Sequence, residues 1–276
     1  TENSSSYSDK EDYEVFGTFL LKTSYPLKKI KENSTDYLKP VMAIKYSPNN
    51  TKNISNKDLR LDYNNIFSLN RIGTDSFVEG GESISLGLEF RKRNFENEDI
   101  FGFNIANSLS SSKNSNLPSK SKLDQTRTDI VGNIFYSPIS NLNLDYTFSY
   151  DRDLDFSNYD SIGAGLNFDN LITSFDYRTE NHELGNSETI SNSTRLYFDD
   201  ENSLQFDSTK NLKDDFTEYY NLIYAYETDC LIATATYNKK FYKDGNLMPE
   251  ETLQFLIKFV PFTEVRGSAN TYVKNN

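Results

Sequence analysis

The feature that most constrains the fold of this chain is a hydropathy pattern with a period of two residues. From Leu142 to Tyr150, Leu, Tyr and Phe fill every second position, and Asn, Asp, Thr and Ser fill the positions between them. The segment Thr252–Phe259 follows a similar rule. Successive side chains of a β-strand point to opposite faces of the sheet, so the pattern predicts strands with one apolar face. Because no segment has a sustained helical period, we expect an all-β, antiparallel fold.

Segments of this kind recur about thirteen times along the chain. They lie near residues 13–24, 37–47, 82–93, 99–108, 126–137, 142–151, 158–168, 171–180, 189–198, 203–211, 216–227, 230–242 and 252–260. Most of these segments are about nine to twelve residues long, whereas strands of globular proteins average about 5–6 residues. A tilted strand that crosses a bilayer needs about 9–11 residues. The lengths therefore favour membrane-spanning strands.

The connections between the segments sort by length. Short turns are predicted at Ser137–Asn141, Asp169–Asn170, Asp199–Asn202 and Asp229, and they alternate with longer polar loops at Pro48–Gly81, Leu109–Gln125, Arg152–Asn158, Asn181–Glu188 and Lys243–Glu251. Two connections do not fit, because Leu212–Asp215 is short on the long side and Pro26–Asp36 is long on the short side. Outer-membrane barrels have short periplasmic turns and longer outer loops. The sorting therefore favours a transmembrane β-barrel over a soluble β-sandwich, which has no reason to sort its loops.

Composition agrees with a barrel and excludes some functions. The mean hydropathy of −0.68 is typical of soluble proteins, but a barrel needs apolar residues only at alternate strand positions. No stretch has the roughly 18–20 consecutive apolar residues of a membrane-spanning helix. The 20 Phe and 19 Tyr residues suit aromatic girdles at the lipid–water boundary. A net charge of −12 argues against nucleic acid as a partner, because phosphate-binding surfaces need clustered Lys and Arg.

The strand count predicts an incomplete barrel. Single-chain bacterial barrels close with an even number of strands, and about thirteen is odd. We therefore expect residues 1–276 to form the C-terminal part of a larger outer-membrane barrel, with a polar loop at 1–12, strands over 13–260 and a periplasmic tail at 261–276. Residues 1–12 contain no apolar core of a signal peptide, so an upstream portion is expected as well.

Residues that carry chemistry are sparse. The single histidine, His182, lies in a polar stretch with Glu180 and Glu183, and no catalytic, metal-binding or cofactor motif is recognisable. We expect no enzyme activity, no metal and no cofactor. Cys230 follows a tight turn, and an unpaired thiol in an oxidising compartment suggests a disulfide partner outside this chain. The alternative is that Cys230 is a small buried residue.

The stretch 64–90 is the least generic part of the sequence. It mixes turn-forming and charged residues with the apolar residues Ile66, Phe67, Leu69 and Phe77. A loop with so many apolar residues has a reason to pack, and it can fold back into the mouth of a barrel.

Residues of this stretch resemble the signature of the LptD family, the lipopolysaccharide-assembly proteins of the outer membrane, which are also called organic solvent tolerance proteins. The resemblance is carried by Asn65, Phe67, Ser68, Asn70, Arg71, Gly73, Asp75 and Gly80, followed by Ser85, Leu86, Gly87 and Leu88. Residues 219–258 are similar to the late strands of the family. The resemblance implies a barrel of twenty-six strands behind a periplasmic jellyroll domain, of which this chain would be the second half of the barrel.

The resemblance also implies function and partners. The cargo would be lipopolysaccharide, with an LptE lipoprotein in the lumen, outer-membrane lipids around the barrel, and a periplasmic bridge protein that delivers cargo through the missing N-terminal domain. Cys230 matches a family cysteine that pairs with the N-terminal region. Asn65, Phe67, Ser68, Arg71, Gly73, Asp75 and Gly80 would form the lumen-loop motif.

In this family the first and last strands form a seam that opens sideways. One lip of the seam would be the strand that carries Thr252, Leu253, Phe255, Ile257 and Phe259. Two other functions remain open at this point. One is a general diffusion or uptake channel of about twelve to fourteen strands that closes by itself, and the other is a soluble all-β binding module.

Overall fold

The computed structural model describes residues 17–71, 78–155, 157–181, 186–241, 249–260 and 263–272. These residues form one antiparallel sheet in which the strands follow one another in chain order. The strands are β1 Phe19–Ser24, β2 Leu27–Ile30, β3 Ser34–Ser47, β4 Gly81–Asn94, β5 Asp99–Ser110, β6 Ile130–Ile139, β7 Leu142–Tyr150, β8 Ser157–Phe168, β9 Leu171–Glu180, β10 Ser187–Tyr197, β11 Asn202–Asn211, β12 Phe216–Glu227, β13 Leu231–Lys240, β14 Glu250–Phe259 and β15 Thr263–Tyr272. No helix within the described ranges is long and apolar enough to cross a membrane.

The first two strands form one edge strand with a break in it. β1 pairs with the second half of β3 and β2 with the first half, and the ladder is interrupted at Tyr25 and Pro26, opposite Pro40. Neither proline has an N–H group to donate to the ladder. The long connection predicted at Pro26–Asp36 is therefore wrong, because only residues 31–33 link β2 to β3. The short hairpin fits the sorting of the other connections.

The last strand is also new. Thr263–Tyr272 pairs along its whole length with β14, from Phe259 opposite Thr263 to Glu250 opposite Tyr272. The predicted periplasmic tail at 261–276 is therefore wrong for residues 263–272. With β1 and β2 counted together, the described residues form fourteen strands, so the odd count of thirteen is wrong as well.

The connections sort by length at the two ends of the sheet. At one end, called the turn end here, the strands are joined by residues 31–33, 95–98, 140–141, 169–170, 198–201, 228–230 and 260–262. At the other, called the loop end, they are joined by residues 48–80, 111–129, 151–156, 181–186, 212–215 and 241–249. Every connection at the turn end is at most four residues long. The predicted alternation of short turns and longer loops is confirmed, and Leu212–Asp215 remains its one short loop.

The two faces of the sheet have opposite chemistry. The face that the loops cover, called the inner face, carries buried Lys45, Ser85 and Ser108, while Leu86 and Phe255 on the outer face are 51% and 53% exposed. Exposed apolar side chains continue on the outer face of most strands; they include Ile44, Tyr46, Ile84, Ile105, Ile162, Phe175, Ile190, Phe206, Leu222, Leu253, Ile257 and Phe259. This arrangement is the reverse of a soluble sheet, whose apolar face is buried.

A single sheet with apolar residues outside agrees with a membrane β-sheet and not with a sandwich. All described strands belong to one sheet, so no second sheet of these residues covers the outer rows. Within the described ranges β1 and β15 are hydrogen-bonded on one side only, and the sheet does not close on itself. The all-β antiparallel class is confirmed, and the number of strands in the complete barrel stays a prediction.

Candidate functional site: loops that cover the inner face

Two loops from the loop end pack on the inner face of β3–β6. We call them the plug, which comprises residues 48–71 and 78–80 of the first loop and residues 111–129 of the second. Its apolar core consists of Ile54, Leu61, Tyr63, Ile66, Phe67, Leu117 and Leu123, which cluster with Val41, Ala43, Ala106 and Val131 of the strands. Of the four apolar residues that were expected to pack, Ile66 and Phe67 are buried against the inner face of the sheet, whereas the prediction is wrong for Leu69, which is 50% exposed. Phe77 lies outside the described residues.

The ring of Phe67 fills a hollow on the inner face of the sheet, at a position where Gly87 has no side chain. A Cβ atom at Gly87 of β4 would lie 2.5 Å from Cζ of Phe67. Tyr63 meets the same ring edge-on, with 5.5 Å between ring centroids, and donates a hydrogen bond to Glu89 Oε1 at 3.0 Å. The aromatic pair thus joins the plug to β4 by both packing and a hydrogen bond.

A buried cluster of charged side chains joins the plug to the inner face of the sheet. Arg71 donates to Glu79 through Nε at 2.7 Å and through Nη2 at 2.5 Å, and Lys45 of β3 donates to Glu79 Oε2 at 2.7 Å. The remaining arm of Arg71, Nη1, donates to Ser108 Oγ on β5 at 2.7 Å. The side chains of Arg71, Glu79 and Lys45 are at most 6% exposed.

Glu79 is ionised in this setting. Burial favours its neutral form, but hydrogen bonds and charge from Arg71, followed by those from Lys45, more than offset this effect and lower the pKa of the carboxyl. Two buried cations share one buried anion, so removing that anion would leave both without a counter-charge. Breaking a buried pair from one side costs about 3–5 kcal/mol. The cluster therefore holds the plug against the wall at neutral pH.

Short-range hydrogen bonds shape the first loop around Asn65. Asn65 Nδ2 donates to the carbonyl of Arg60 at 2.9 Å, and its Oδ1 accepts from the amide of Asp62 at 3.0 Å. Ser68 continues this turn by donating its amide to the carbonyl of Asn65 at 2.9 Å. Gly80 closes the loop, since a Cβ atom there would lie 1.8 Å from the carbonyl oxygen of Asn49. These residues shape the loop rather than offering groups for chemistry.

The second loop locks the first in place. The amide of Ile54 donates to the carbonyl of Asn116 at 2.8 Å, and Asn116 Nδ2 donates to the carbonyl of Thr51 at 3.0 Å. Ser121 Oγ accepts from the amide of Leu61 at 3.2 Å and donates to its carbonyl at 3.3 Å. The two loops therefore behave as one packed unit.

The tip of the plug reaches β8 and β9, well beyond the strands on which it begins. Arg60 stacks on Tyr159 of β8, with its guanidinium carbon 3.3 Å from the ring centroid. Arg60 Nη1 also lies 3.5 Å from Glu180 Oε1 at the end of β9, and Lys120 Nζ lies 2.7 Å from the same oxygen. A cavity of about 290 Å³ opens beside these residues.

Comparison with known proteins decides the family. A model of the LptD family, described as LPS transport system D, matches residues 1–201, which is more than half of the chain. The chain belongs to the LptD family. This match confirms the family that the residues around Arg71 predicted, and it places the chain among β-barrel proteins of the outer membrane that serve lipopolysaccharide transport. No curated protein matches the chain in sequence.

Solved structures with a similar arrangement include porins. Two mutants of the porin from Rhodopseudomonas blastica each align at 10% sequence identity with a TM-score of 0.40, over 93% of this chain and 93% of the porin. An engineered protein described by its asymmetric conductivity aligns over the same shares, with the same identity and TM-score.

The structure brings most of the predicted lumen-loop motif of this LptD-family chain together. Asn65, Phe67, Ser68, Arg71 and Gly80 all lie in the plug on the inner face. Gly73 and Asp75 lie outside the described residues, as does His182. That the plug sits in a closed lumen stays a prediction, since the sheet is open.

Cys230 lies at the turn end, in the connection between β12 and β13, and its side chain is exposed. The alternative of a small buried residue is therefore wrong. The carbonyl of Cys230 accepts from the amide of Val260 at 3.0 Å, which places the backbone of Cys230 beside the end of β14. Cys230 is a free cysteine within the described residues, and its disulfide with an upstream cysteine stays a prediction.

The predicted seam strand needs a correction. β14 has β13 on one side and β15 on the other, so it is an interior strand and cannot be a lip of a seam. Its alternation is as expected. Leu253, Phe255, Ile257 and Phe259 are exposed on the outer face, whereas Thr252 is buried on the inner face. Among the described strands, the one at this edge of the sheet is β15.

Sequence reasoning missed Glu79 and Ser108, which accept hydrogen bonds from Arg71, and Lys45, which shares Glu79 with it. The sequence did contain a hint of Lys45 and Glu79. Lys45 interrupts the inner row that begins with Val41 and Ala43, and Glu79 directly precedes Gly80. A charged residue on a strand face that is otherwise apolar or small is expensive to bury unless it is paired. The missed residues are thus those that anchor the predicted motif.

Proposed function

We propose that this chain is part of an outer-membrane barrel that moves lipopolysaccharide into the outer leaflet. The observation that carries the proposal is the LptD-family match over residues 1–201. The surface chemistry supports it. The outer face is apolar, as lipid contact requires, and the inner face carries serine, asparagine and charged residues beside the small apolar ones that the plug covers. A bulky sugar head can cross such an interior, whereas it cannot cross the hydrocarbon of a bilayer.

The acyl chains of the cargo need a sideways exit. A closed barrel offers none, so the proposed exit is a seam between the first and last strands of the complete barrel. β15 replaces β14 as the proposed lip on this chain because, within the described residues, β15 is hydrogen-bonded on one side only and β14 on both. Unpaired backbone groups in lipid cost several kcal/mol each. We therefore propose that upstream strands pair with the edge at β1 and complete a barrel of twenty-six strands.

The proposed partners occupy different parts of this barrel. An LptE lipoprotein would sit in the lumen on the inner face of β10–β14, because the contacts of the described plug residues end at β9. A periplasmic bridge protein would deliver cargo through an N-terminal jellyroll domain at the turn end. Cys230 lies at that end and is exposed, as a disulfide to such a domain requires. A reduced, freely reactive Cys230 in the full-length protein within an oxidising envelope would count against this arrangement.

A diffusion or uptake channel is the second candidate, and one observation favours it. The described residues form fourteen strands when β1 and β2 are counted together, an even number within the range of bacterial barrels. A channel would require β1 to pair with β15 so that the chain closes alone. A disulfide between single cysteines placed on β1 and β15 would form readily in a channel and not in the larger barrel.

Reconstitution of the full-length protein in vesicles separates the two functions. The proposed function predicts that lipopolysaccharide supplied from the turn end appears in the vesicle membrane, while small solutes leak slowly because the plug covers part of the inner face. Fast solute efflux without any lipopolysaccharide insertion would support the channel instead.

A further inference from the structure

We infer that the cavity at the tip of the plug binds a phosphate group carried on the cargo, and that binding detaches the tip from β9. This inference rests on the proposed function and adds a binding site and a means of release to it. The cavity lies between the second loop and the loop ends of β8 and β9. Its lining consists of Arg60, Lys120, Lys122 and Glu180, together with serine and asparagine side chains.

The lining selects for a small polar anion. It contains three basic residues and one acidic residue, in a chain whose net charge is −12. Lys120 is also paired with the exposed Asp58 beside the cavity, so Arg60 and Lys122 supply the surplus positive charge. None of the lining residues is apolar, so an acyl chain would gain nothing by entering. The volume of about 290 Å³ is at the lower end of the range for ligand pockets, about 300–1,000 Å³. It has room for a phosphate group and part of a sugar.

Two of the three basic residues have binding capacity to spare. Within the described residues, Arg60 makes its ion pair with Glu180 only at 3.5 Å, and its guanidinium is otherwise held by stacking on Tyr159. Lys122 makes no side-chain hydrogen bond or ion pair with any described residue and is exposed. A guanidinium group binds phosphate through two parallel hydrogen bonds. The guanidinium group of Arg60 could therefore bind an incoming anion through two hydrogen bonds, and the ammonium group of Lys122 could add a third contact.

Glu180 occupies the place that the anion would take. Its Oε1 lies 2.7 Å from Lys120 and 3.5 Å from Arg60, so a single carboxylate oxygen holds the tip of the plug to β9. A phosphate group carries more charge and more acceptor oxygens than this carboxylate. Its binding to Arg60, Lys120 and Lys122 would displace Glu180 and free the tip. The anchor at Arg71, Glu79 and Lys45 lies at the other end of the plug and would stay in place.

The test uses the full-length protein in detergent with three probes: a phosphorylated glycolipid, the same glycolipid without its phosphates, and inorganic phosphate. We expect the phosphorylated glycolipid to bind more tightly than the dephosphorylated one. Lys122→Gln should weaken that binding roughly tenfold, because a hydrogen bond to a charged group is lost. Lys57→Gln is the matched control, since Lys57 is exposed on the same plug but does not line the cavity.

Release of the tip has its own readout. Amide hydrogen exchange across residues 54–63 should rise when the phosphorylated glycolipid binds to the wild type, and it should not rise in Lys122→Gln at the same glycolipid concentration. Equal binding by Lys122→Gln and Lys57→Gln would overturn the site, and unchanged exchange at saturation would overturn the release.

Two further results would show whether the phosphate comes from a glycolipid or from the free anion, and whether the phosphate site or the proposed transport function fails. If inorganic phosphate bound as tightly as the glycolipid, the site would belong to the free anion, and the assignment to cargo would be overturned. If vesicles accepted lipopolysaccharide but the cavity bound no phosphate compound, this inference would be overturned while the proposed function stood. Failure of lipopolysaccharide insertion in the wild type would count against the proposed function itself.

Discussion

The ring of Phe67 rests on Gly87, a plug residue on a strand residue, so closely that a Cβ atom at Gly87 would lie 2.5 Å from Cζ of the ring. The contact joins two residues that are twenty positions apart and that both belong to the segment by which the family was recognised. The contact explains the glycine in the middle of β4. A glycine inside a strand is usually destabilising, but here any side chain would collide with the ring of Phe67. The space that Gly87 leaves free is thus where the plug packs on β4.

Gly87→Ala should therefore loosen the plug. The added methyl group has to push the Phe67 ring away, and such overpacking costs about 1–3 kcal/mol. The expected results are a lower unfolding temperature and faster proteolysis within residues 48–71. Gly165→Ala is a suitable control on the inner face, since a Cβ atom there would meet only the carbonyl oxygen of Asn143 at 4.0 Å. Equal effects of the two substitutions would contradict the account of the Phe67 contact.

Glu79→Gln should detach the plug more strongly. The substitution keeps the shape of the side chain but leaves Arg71 and Lys45 buried without a counter-charge, at a cost of about 3–5 kcal/mol. The protease sensitivity of the first loop and the free energy of unfolding would both report the change. Glu82→Gln serves as the control, because Glu82 lies nearby at the start of β4 and is exposed. Wild-type stability in Glu79→Gln would show that the cluster does not anchor the plug.

Acid should release the plug through the same residue. Arg71 and Lys45 lower the folded-state pKa of Glu79 below its ordinary value, against the effect of burial. A carboxyl with a lowered pKa stabilises the fold above its unfolded pKa, and the stabilisation is lost as the pH falls through the folded pKa. Accessibility of residues 48–71 should thus stay low at neutral pH and increase in acid, as the pH falls from the ordinary pKa of a glutamate, about 4.3, through the lowered pKa of Glu79. In Glu79→Gln this increase should be absent, since the glutamine does not titrate.

The pKa of Asp129 is shifted in the opposite direction from that of Glu79, so its effect on stability should have the opposite pH dependence. Its side chain is buried before β6, where Asn158 and Ser149 donate to Oδ2 at 2.7 and 3.0 Å and Oδ1 has no partner among the described residues. Burial raises the pKa of this carboxyl, although the two hydrogen bonds and the charge of Lys122 oppose the shift.

A raised carboxyl pKa contributes stability below the unfolded pKa, and that contribution is lost as the pH rises through the folded pKa. Asp129→Asn keeps an acceptor for both donors and removes the charge, so it should stabilise the protein at neutral pH. The gain should vanish in acid, where the wild-type carboxyl is protonated. Denaturant unfolding at several pH values would measure it, and a destabilised Asp129→Asn at neutral pH would contradict the assignment.

Two neighbouring residues on β14 test whether the outer face meets lipid. Phe255 is exposed on the outer face, and Gln254 is exposed on the inner face. Phe255→Lys should cost about 2–4 kcal/mol if the side chain lies in the bilayer, whereas Gln254→Lys should cost little. The free energy of folding into vesicles would show the difference. Nearly equal values for the two variants would indicate that water covers both faces.

Much of the sheet could be predicted from the sequence, because alternation is a local property. β9 and β12 begin and end where the pattern places them, at Leu171–Glu180 and Phe216–Glu227. β2 was missed because Pro26 breaks the strand that continues from β1. β15 was missed because its alternate positions hold Val265, Gly267 and Ala269, which are too small to give a clear apolar period.

The site was predictable only in part. The apolar residues and turn signals of the first loop are local, so Phe67 and Arg71 could be assigned to a packed loop. The other members of the ion cluster depend on where the first loop crosses the inner face of the sheet. Lys45 lies 34 positions from Glu79, and Ser108 lies 37 positions from Arg71. No pattern within one strand encodes such a pairing.

The central claim is that the full-length protein delivers lipopolysaccharide to the cell surface. The most direct measurement is depletion of that protein in its own bacterium, followed by labelling of newly made lipopolysaccharide that reaches the outer leaflet. The account predicts that surface arrival stops and that lipopolysaccharide accumulates in the inner membrane and periplasm, while small-solute uptake continues. Undiminished surface arrival, together with a loss of solute uptake, would contradict it.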